Sequence, residues 1–592
     1  MILLWVSALI VAGAAVAITT IPGQPLTAAQ SAQLRPLPRC HRHHHHCRPR
    51  PAPTPTSPSP TPTSPASPTP TPTPTTPDPT PTSSSSPTLP PPPPPPGSAP
   101  SDPPAQICGN SALLNGPSSP PAGAVTVPAG DNQDFEASFN LDPNTTYWFA
   151  PGVHTLGSGE FDQIQPREGD TFIGAPGAIL SGQGQNDSAF DSTATGVTIE
   201  YLTIQDFTPP GSQGAVNHDS GRGWTISHNT IQNNSPGAAL ILGSDNTATF
   251  NCLTRNGEYG FNAEGDGDGH STLTGGPNNI TLSNNEISFN DTCNFDAWSP
   301  NPVPASMRPS NCGGAGEGGG CGCSGAGKFW EVDNATVNSN YVHDNFNVGL
   351  WADTNDNGFT FKGNYIKNNF SVGLMYELSY NADIENNTFI GNAIGSGPTN
   401  PGFPEGAIYL SEAGGDSRVP NTAGISTVTV SGNTFTNNWS GVVLWENADR
   451  FCGGANSSTG TCTLVQPSVA NINTCDQANL QGATASGSPD YYDLCRWKTQ
   501  NVQVTGNTFS LDESAVPGCQ GSDNSCGQNA IFSQYGTQPG WSPYKGFAIS
   551  DAITTAMNNH FSGNTYNGPW SFMYHDQSTV LSMADWKAKG QD

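Results

Sequence analysis

The chain has 592 residues, of which 34% are apolar and 11% charged, and its formal net charge is −28. With 19 Lys and Arg against 47 Asp and Glu, it lacks the clustered basic groups that a phosphate-binding surface needs, which counts against a nucleic-acid partner. Gly, Asn, Ser and Thr dominate, but 12 Trp, 14 Tyr and 25 Phe point to a real core rather than to disorder.

In chain order, residues 2–18 (ILLWVSALIVAGAAVAI) are an apolar run ending in small residues at Ala15-Val16-Ala17. This predicts a signal peptide or signal anchor over 1–20, which places the rest outside the cytoplasm, secreted or tethered through its N-terminus. Residues 21–47 read as a flexible segment ending in Arg39-Cys40-His41-Arg42-His43-His44-His45-His46-Cys47. Its imidazoles and thiols could bind Zn, Cu or Ni. Pairing of the two cysteines with each other is the simpler reading. Residues 48–107 are almost wholly Pro, Thr and Ser, a semi-rigid extended linker.

Residues 108–592 are expected to form one domain without a second catalytic unit. The 14 cysteines suit an oxidising compartment. Cys452/Cys462, Cys475/Cys495 and Cys519/Cys526 are candidate local bridges. Cys293, Cys312, Cys321 and Cys323 would tie down a Gly-rich insertion, with a metal at Cys321-Gly-Cys323 as the rival reading.

Through this domain one pattern recurs: SHNTIQNN, FNCLTRN, NNEISFN, SNYVHDN, GNYIKNN, NNTFIGN, GNTFTNN and GNTFSLD. The leading asparagines are Asn229, Asn251, Asn285, Asn340, Asn364, Asn387, Asn433 and Asn507. Asn229 to Asn251 is 22 residues, Asn340 to Asn364 is 24, and Asn364 to Asn387 is 23. A period of this size signals a solenoid, and the alternation of apolar residues signals strands. Like strands of successive coils should pair in parallel and in register, with a rise of about 4.8 Å. Asn at the turn tolerates a left-handed backbone, and its stacked side chains can form a hydrogen-bonded ladder.

The segments TYWFAPGVHTL, TFIGAPGAILSGQ, VNHDSGRGWTISHNTIQNN, GLWADTN, GLMYELSYNADIENN and VVLWENADRFCGG resemble the right-handed parallel β-helix repeat proteins of the pectin-lyase-like fold. The likeness is greatest to secreted actinobacterial members and covers roughly residues 108–590. It implies an all-β, right-handed parallel β-helix preceded by a disordered Pro/Thr/Ser-rich stalk. It does not imply one reaction, because that fold serves pectate lyases, polygalacturonases, epimerases and phage tailspikes.

Three glycines begin a shared motif, in Gly349-Leu-Trp-Ala-Asp353, Gly373-Leu-Met-Tyr-Glu377 and Gly260-Phe-Asn-Ala-Glu264, and Gly327-Lys-Phe-Trp-Glu331 follows the same spacing. Strand alternation turns Phe261, Ala263, Leu350, Ala352, Leu374 and Tyr376 inward and the acids outward. Glu331, Asp353 and Glu377 then form a ladder of carboxylates about 5 Å apart.

Stacked like charges are destabilising, so three uses compete. The ladder is a solvated acidic face relieved by Lys328, Arg418 and Arg450. Or it is a glycoside hydrolase or polysaccharide lyase site, with Asp353, Glu377 and Glu331 catalytic. In that case Trp351, Trp445, Glu412, Arg418, Glu446 and Arg450 contact an extracellular or cell-wall polysaccharide. Or it binds Ca²⁺ through Asp353, Asp356, Glu377 and nearby Asn. His218-Asp219 is a further acid/base candidate. The chain is expected to act as a monomer, and the alternative to an enzyme is a glycan-binding wall or adhesive protein.

Overall fold

The repeat asparagines mark the corners of a coil. The computed structural model describes residues 99–592, except 101, 105, 133–140, 218–219, 265–274, 313–322, 448–463, 466–494, 496, 522–524 and 535–551. The first coils contribute two short strands and the later ones three, and each strand pairs with its counterpart one coil on. The strands stack into two sheets of 13 and one of 11. The first sheet runs from Val125–Val127 to His560–Ser562, the second from Gly130–Asp131 to Thr565–Asn567, and the third begins at Gly214–Val216. Pairing among the described strands is parallel until the last, where Ser571–His575 meets Val580–Leu581 antiparallel.

Register follows from what points inward. On the second sheet Ile204, Ile231, Leu253, Ile287, Val342 and Ile366 occupy one interior row on successive coils. The row continues through Phe389, Phe435, Phe509 and Tyr566, whose rings stack at 5.1, 4.6 and 5.0 Å. A fully buried Phe contributes roughly 1.5–3 kcal/mol, and slipping a strand by one residue would turn its whole row out to solvent.

The corner asparagines form two ladders. In the first, Asn340 donates to Asn364 and Asn364 donates to Asn387, with both side-chain bonds at 3.0 Å. The second runs in the same way through Asn345, Asn369 and Asn392. The left-handed backbone expected at these asparagines belongs instead to the residue before each one: His228, Phe250, Ser339 and Gly363 have φ of 58°, 55°, 56° and 65°. The bend is made there, which leaves the ladder Asn free to aim its amide along the axis.

The linker reaches further onto the domain than its composition suggested. Thr388 Oγ1 donates to the Pro100 carbonyl at 2.5 Å. The backbone N–H groups of Ile107 and Cys108 both donate to Glu286 Oε2, at 2.6 and 2.8 Å. A Cys108–Cys252 disulfide, unanticipated from spacing, fastens this end.

The expected Cys519–Cys526 bridge is present, and Cys293 pairs with Cys312. Cys323 and Cys495 are disulfide-bonded, which removes Cys323 from any metal site. Cys40, Cys47, Cys321, Cys452, Cys462 and Cys475 lie outside the described residues. At the far end a short helix, Met583–Ala588, places Trp586 against Phe572 and Phe561 at 4.7 and 5.3 Å. It closes the last rung as a cap.

Candidate active site on the third sheet

The third sheet carries the acids. Its strands Val348–Asp353 and Leu374–Glu377 pair so that Asp353 stands directly opposite Glu377. Leu350, Ala352, Leu374 and Tyr376 lie in the interior core, as do Phe261 and Ala263. Both acids therefore leave the opposite face of their strands, one rung apart, at about 4.8 Å.

Glu331 does not belong to this row. Trp330 pairs with Asp353, and the Glu331 N–H donates to the Thr354 carbonyl at the following corner, where Glu331 itself has φ 59°. The motif glycines are not equivalent, because Gly327 pairs with Leu350, not Gly349. It takes an inward position, where a Cβ would run into the Phe261 ring. Glu264 falls opposite Trp330 by continuing the Ala263–Phe329 pairing, so the row reads Glu264, Trp330, Asp353, Glu377, Ser411, Trp445.

The row is not a solvated acidic face. Asp353 and Glu377 are 4% and 2% exposed, although they point out of the coil. Side chains of this sheet, including Tyr259, Trp351, Met375, Tyr409 and Trp445, form a second apolar cluster with Phe403 from the loop before Gly406–Ser411. Trp351 and Trp445 are thus buried within the protein and offer no open face to a sugar.

In this desolvated setting one cation organises the charges. Lys328 Nζ lies 3.0 Å from Asp353 Oδ2 and 4.3 Å from the centre of the Trp351 ring. Its charge also favours the ionised forms of Glu258, Asp296 and Asp356. Burial still dominates: it pushes the Glu258 carboxyl up to about 8 and Asp296 up to about 7. It holds Asp356 and Asp291 well above the usual carboxylate range.

Lys328 is the cation placed against Asp353. Asp356 Oδ1 accepts from the Val332 N–H at 2.7 Å. Among the described residues no three His, Cys, Asp or Glu side chains converge as a metal centre. Asp353, one of the acids expected around Ca²⁺ with Asp356 and Glu377, is held in an ion pair with Lys328.

The remaining candidates are spoken for by the fold. Glu412 takes hydrogen bonds from Ser411 Oγ and the Asn447 N–H, and is fully buried. Glu446 accepts from the Thr499 N–H at 3.0 Å and is equally buried. Both acids are engaged by hydrogen bonds within the fold. Arg418 grips its neighbour Asp416, with Nε 2.8 Å from Oδ1, away from the Asp353 row. Arg450, His218 and Asp219 lie outside the described residues.

An open cleft of about 370 Å³ lies at the corner before these strands, lined among others by Phe289, Phe346, Phe370 and Ile394. All four side chains are half-buried. Their signal is present in Asn345-Phe346 and Asn369-Phe370, an aromatic directly after a ladder asparagine, but it is weaker than that of the outward tryptophans.

A family model described as right handed beta helix region matches residues 214–423, and the stacked three-sheet coil is a right-handed parallel β-helix. No curated protein matches the sequence. Similar solved structures include the A-module of the Azotobacter vinelandii mannuronan C-5 epimerase AlgE4, at 13% identity and TM-score 0.38 over 78% of this chain and 98% of that one. The catalytic unit of a GH87 α-1,3-glucanase from Streptomyces thermodiastaticus is 14% identical, with TM-score 0.38 over 79% and 72%. The PL6 family alginate lyase AlyGC is 12% identical, with TM-score 0.38 over 78% and 56%.

Proposed function

We propose that the chain is a carbohydrate-active enzyme that cleaves an extracellular polysaccharide, with Asp353 and Glu377 as its acid/base pair. The direct Asp353–Glu377 pairing beside Lys328 carries this reading. In a water-poor site two adjacent carboxyls favour unequal protonation. Lys328 is held against Asp353 at 3.0 Å, which suits Asp353 to the nucleophile or base role and leaves Glu377 for the proton donor. The rung spacing of about 4.8 Å is close to the roughly 5–5.5 Å of retaining glycosidases. The half-buried phenyl rings of the cleft, at the opposite ends of the same strands, supply the sugar-stacking surface in place of Trp351 and Trp445.

Incubation with a glycan panel tests this, reading new reducing ends for hydrolysis and absorbance of unsaturated uronates for elimination. The expected result is one of these products from at least one polymer; retention of a polymer with neither product would contradict an enzyme. That second outcome would make the chain a glycan-binding protein, a reading favoured by the near-complete burial of both acids.

A further inference from the structure

Three unmatched side-chain oxygens follow the strand Glu286–Ser288, and a fourth follows its pairing partner Tyr341–His343. Asp291 Oδ2, Asn294 Oδ1, Asp296 Oδ1 and Asn347 Oδ1 are buried and have no hydrogen-bond partner among the described residues. Asn294 and Asn347 are 5% and 1% exposed. Two of these groups meet at one hydroxyl, since Ser324 bonds the Asp291 carboxyl and accepts from Asn347 Nδ2 at 2.9 Å, and the same Nδ2 also donates to Asp296 Oδ2. Asn294 joins Asp291 through a tight turn, its N–H donating to the Asp291 carbonyl at 3.1 Å.

This contrasts with the asparagines of the ladders, whose amides are bonded rung to rung. A buried polar atom without a partner is costly, and it calls for a missing water or ion. Four of the unmatched atoms here are oxygens, two of them from carboxyl groups, beside one unmatched donor, Trp298 Nε1. Oxygen-only donor sets of carboxylates and amide carbonyls suit a hard cation, and Ca²⁺ accepts irregular geometry.

We propose that Asp291, Asn294, Asp296 and Asn347, with the Ser324 hydroxyl, form a Ca²⁺ site that fastens the segment after Glu286–Ser288 to the coil edge. The Cys293–Cys312 disulfide lies within this segment and already limits its conformations. The site uses residues other than those of the Asp353 row, although Lys328 acts on both Asp296 and Asp353, and it stands whether or not the chain is an enzyme.

Calorimetric titration of the chelator-stripped full chain with CaCl₂, paired with thermal unfolding in Ca²⁺ and in EDTA, tests it. One Ca²⁺ should bind per chain and, near a hundredfold excess over Kd, raise Tm by about 3 °C. Asp291→Asn and Asn347→Leu should each weaken binding at least about tenfold, the loss expected when a ligand oxygen is removed. Should either fail to fold by circular dichroism, the isosteric Asp296→Asn serves in its place. Asp353→Asn should bind Ca²⁺ as the parent does. No heat and no Tm shift with Ca²⁺ would overturn the proposal, and so would binding lost in Asp353→Asn but kept in Asp291→Asn.

Discussion

The asparagine ladders and the acidic row of the third sheet use one geometric device, the same position repeated on successive coils, with opposite electrostatic outcomes. An Asn amide carries a donor and an acceptor, so each rung satisfies the next. Asn364 gives to Asn387 and to the Val337 carbonyl while taking two bonds from Asn340. Such a ladder can extend without limit. A carboxylate carries acceptors alone and repels its copy. Accordingly the acidic row holds two acids side by side, Asp353 and Glu377, before Trp330 and Ser411 interrupt it, and Lys328 is drawn in beside them. Neutral repetition builds the rod, whereas charged repetition is confined to a place with a use for it.

Substitutions should divide along this line. Asn364→Ala strands its partners on both neighbouring rungs, and a loss of about 3–6 kcal/mol is expected in urea unfolding. Lys328→Met leaves Asp353 buried without its ion pair, which should cost about 3–5 kcal/mol. Adding Asp353→Asn should recover part of that, about 1–2 kcal/mol of coupling in a double-mutant cycle. A cycle that closes to zero would mean Lys328 does not act through Asp353.

The burial of Glu258 gives a pH signature. Its folded value is about 8 against 4.5 for the free group, so the folded chain holds a proton that the unfolded chain has released. Its contribution is then present at low pH and lost as pH rises from about 4.5 to about 8, with a slope of at most about 1.4 kcal/mol per pH unit. Urea midpoints measured in EDTA across that range should fall less steeply in Glu258→Gln than in the parent, the remaining slope belonging to the other raised acids such as Asp296. The smallest effect belongs to the exposed Arg222–Asp245 pair, at 2.6 Å with side chains 49% and 33% exposed. Arg222→Ala should change stability by about 0.5 kcal/mol or less.

Much of the rod was legible in the sequence because periodicity is a local signal. The leading asparagines mark the first ladder, and the alternation in Leu350-Trp351-Ala352-Asp353 assigns its faces correctly. The site was legible only where coils are uninterrupted. Asp353 and Glu377 align because 24 residues separate them without an insertion, whereas Glu331 is offset by one residue because Gly327 sits at an inward position and not at a corner. Exposure could not be read at all: whether an outward Trp351 meets solvent or another loop depends on segments distant in sequence, and Phe403 reaches the same cluster from a different coil. The docking of residues 107–108 on Glu286 was hidden for the same reason, since 178 residues separate Cys108 from Glu286.

The central claim is that the paired acids do chemistry and do not merely tolerate each other. Once the glycan panel identifies a substrate, kcat of Glu377→Gln measured against the parent tests it most directly, with Tm recorded for both. Loss of a positioned proton donor predicts a fall of about 10²–10⁴-fold with the fold intact. A Glu377→Gln protein that folds and turns over within twofold of the parent would contradict it.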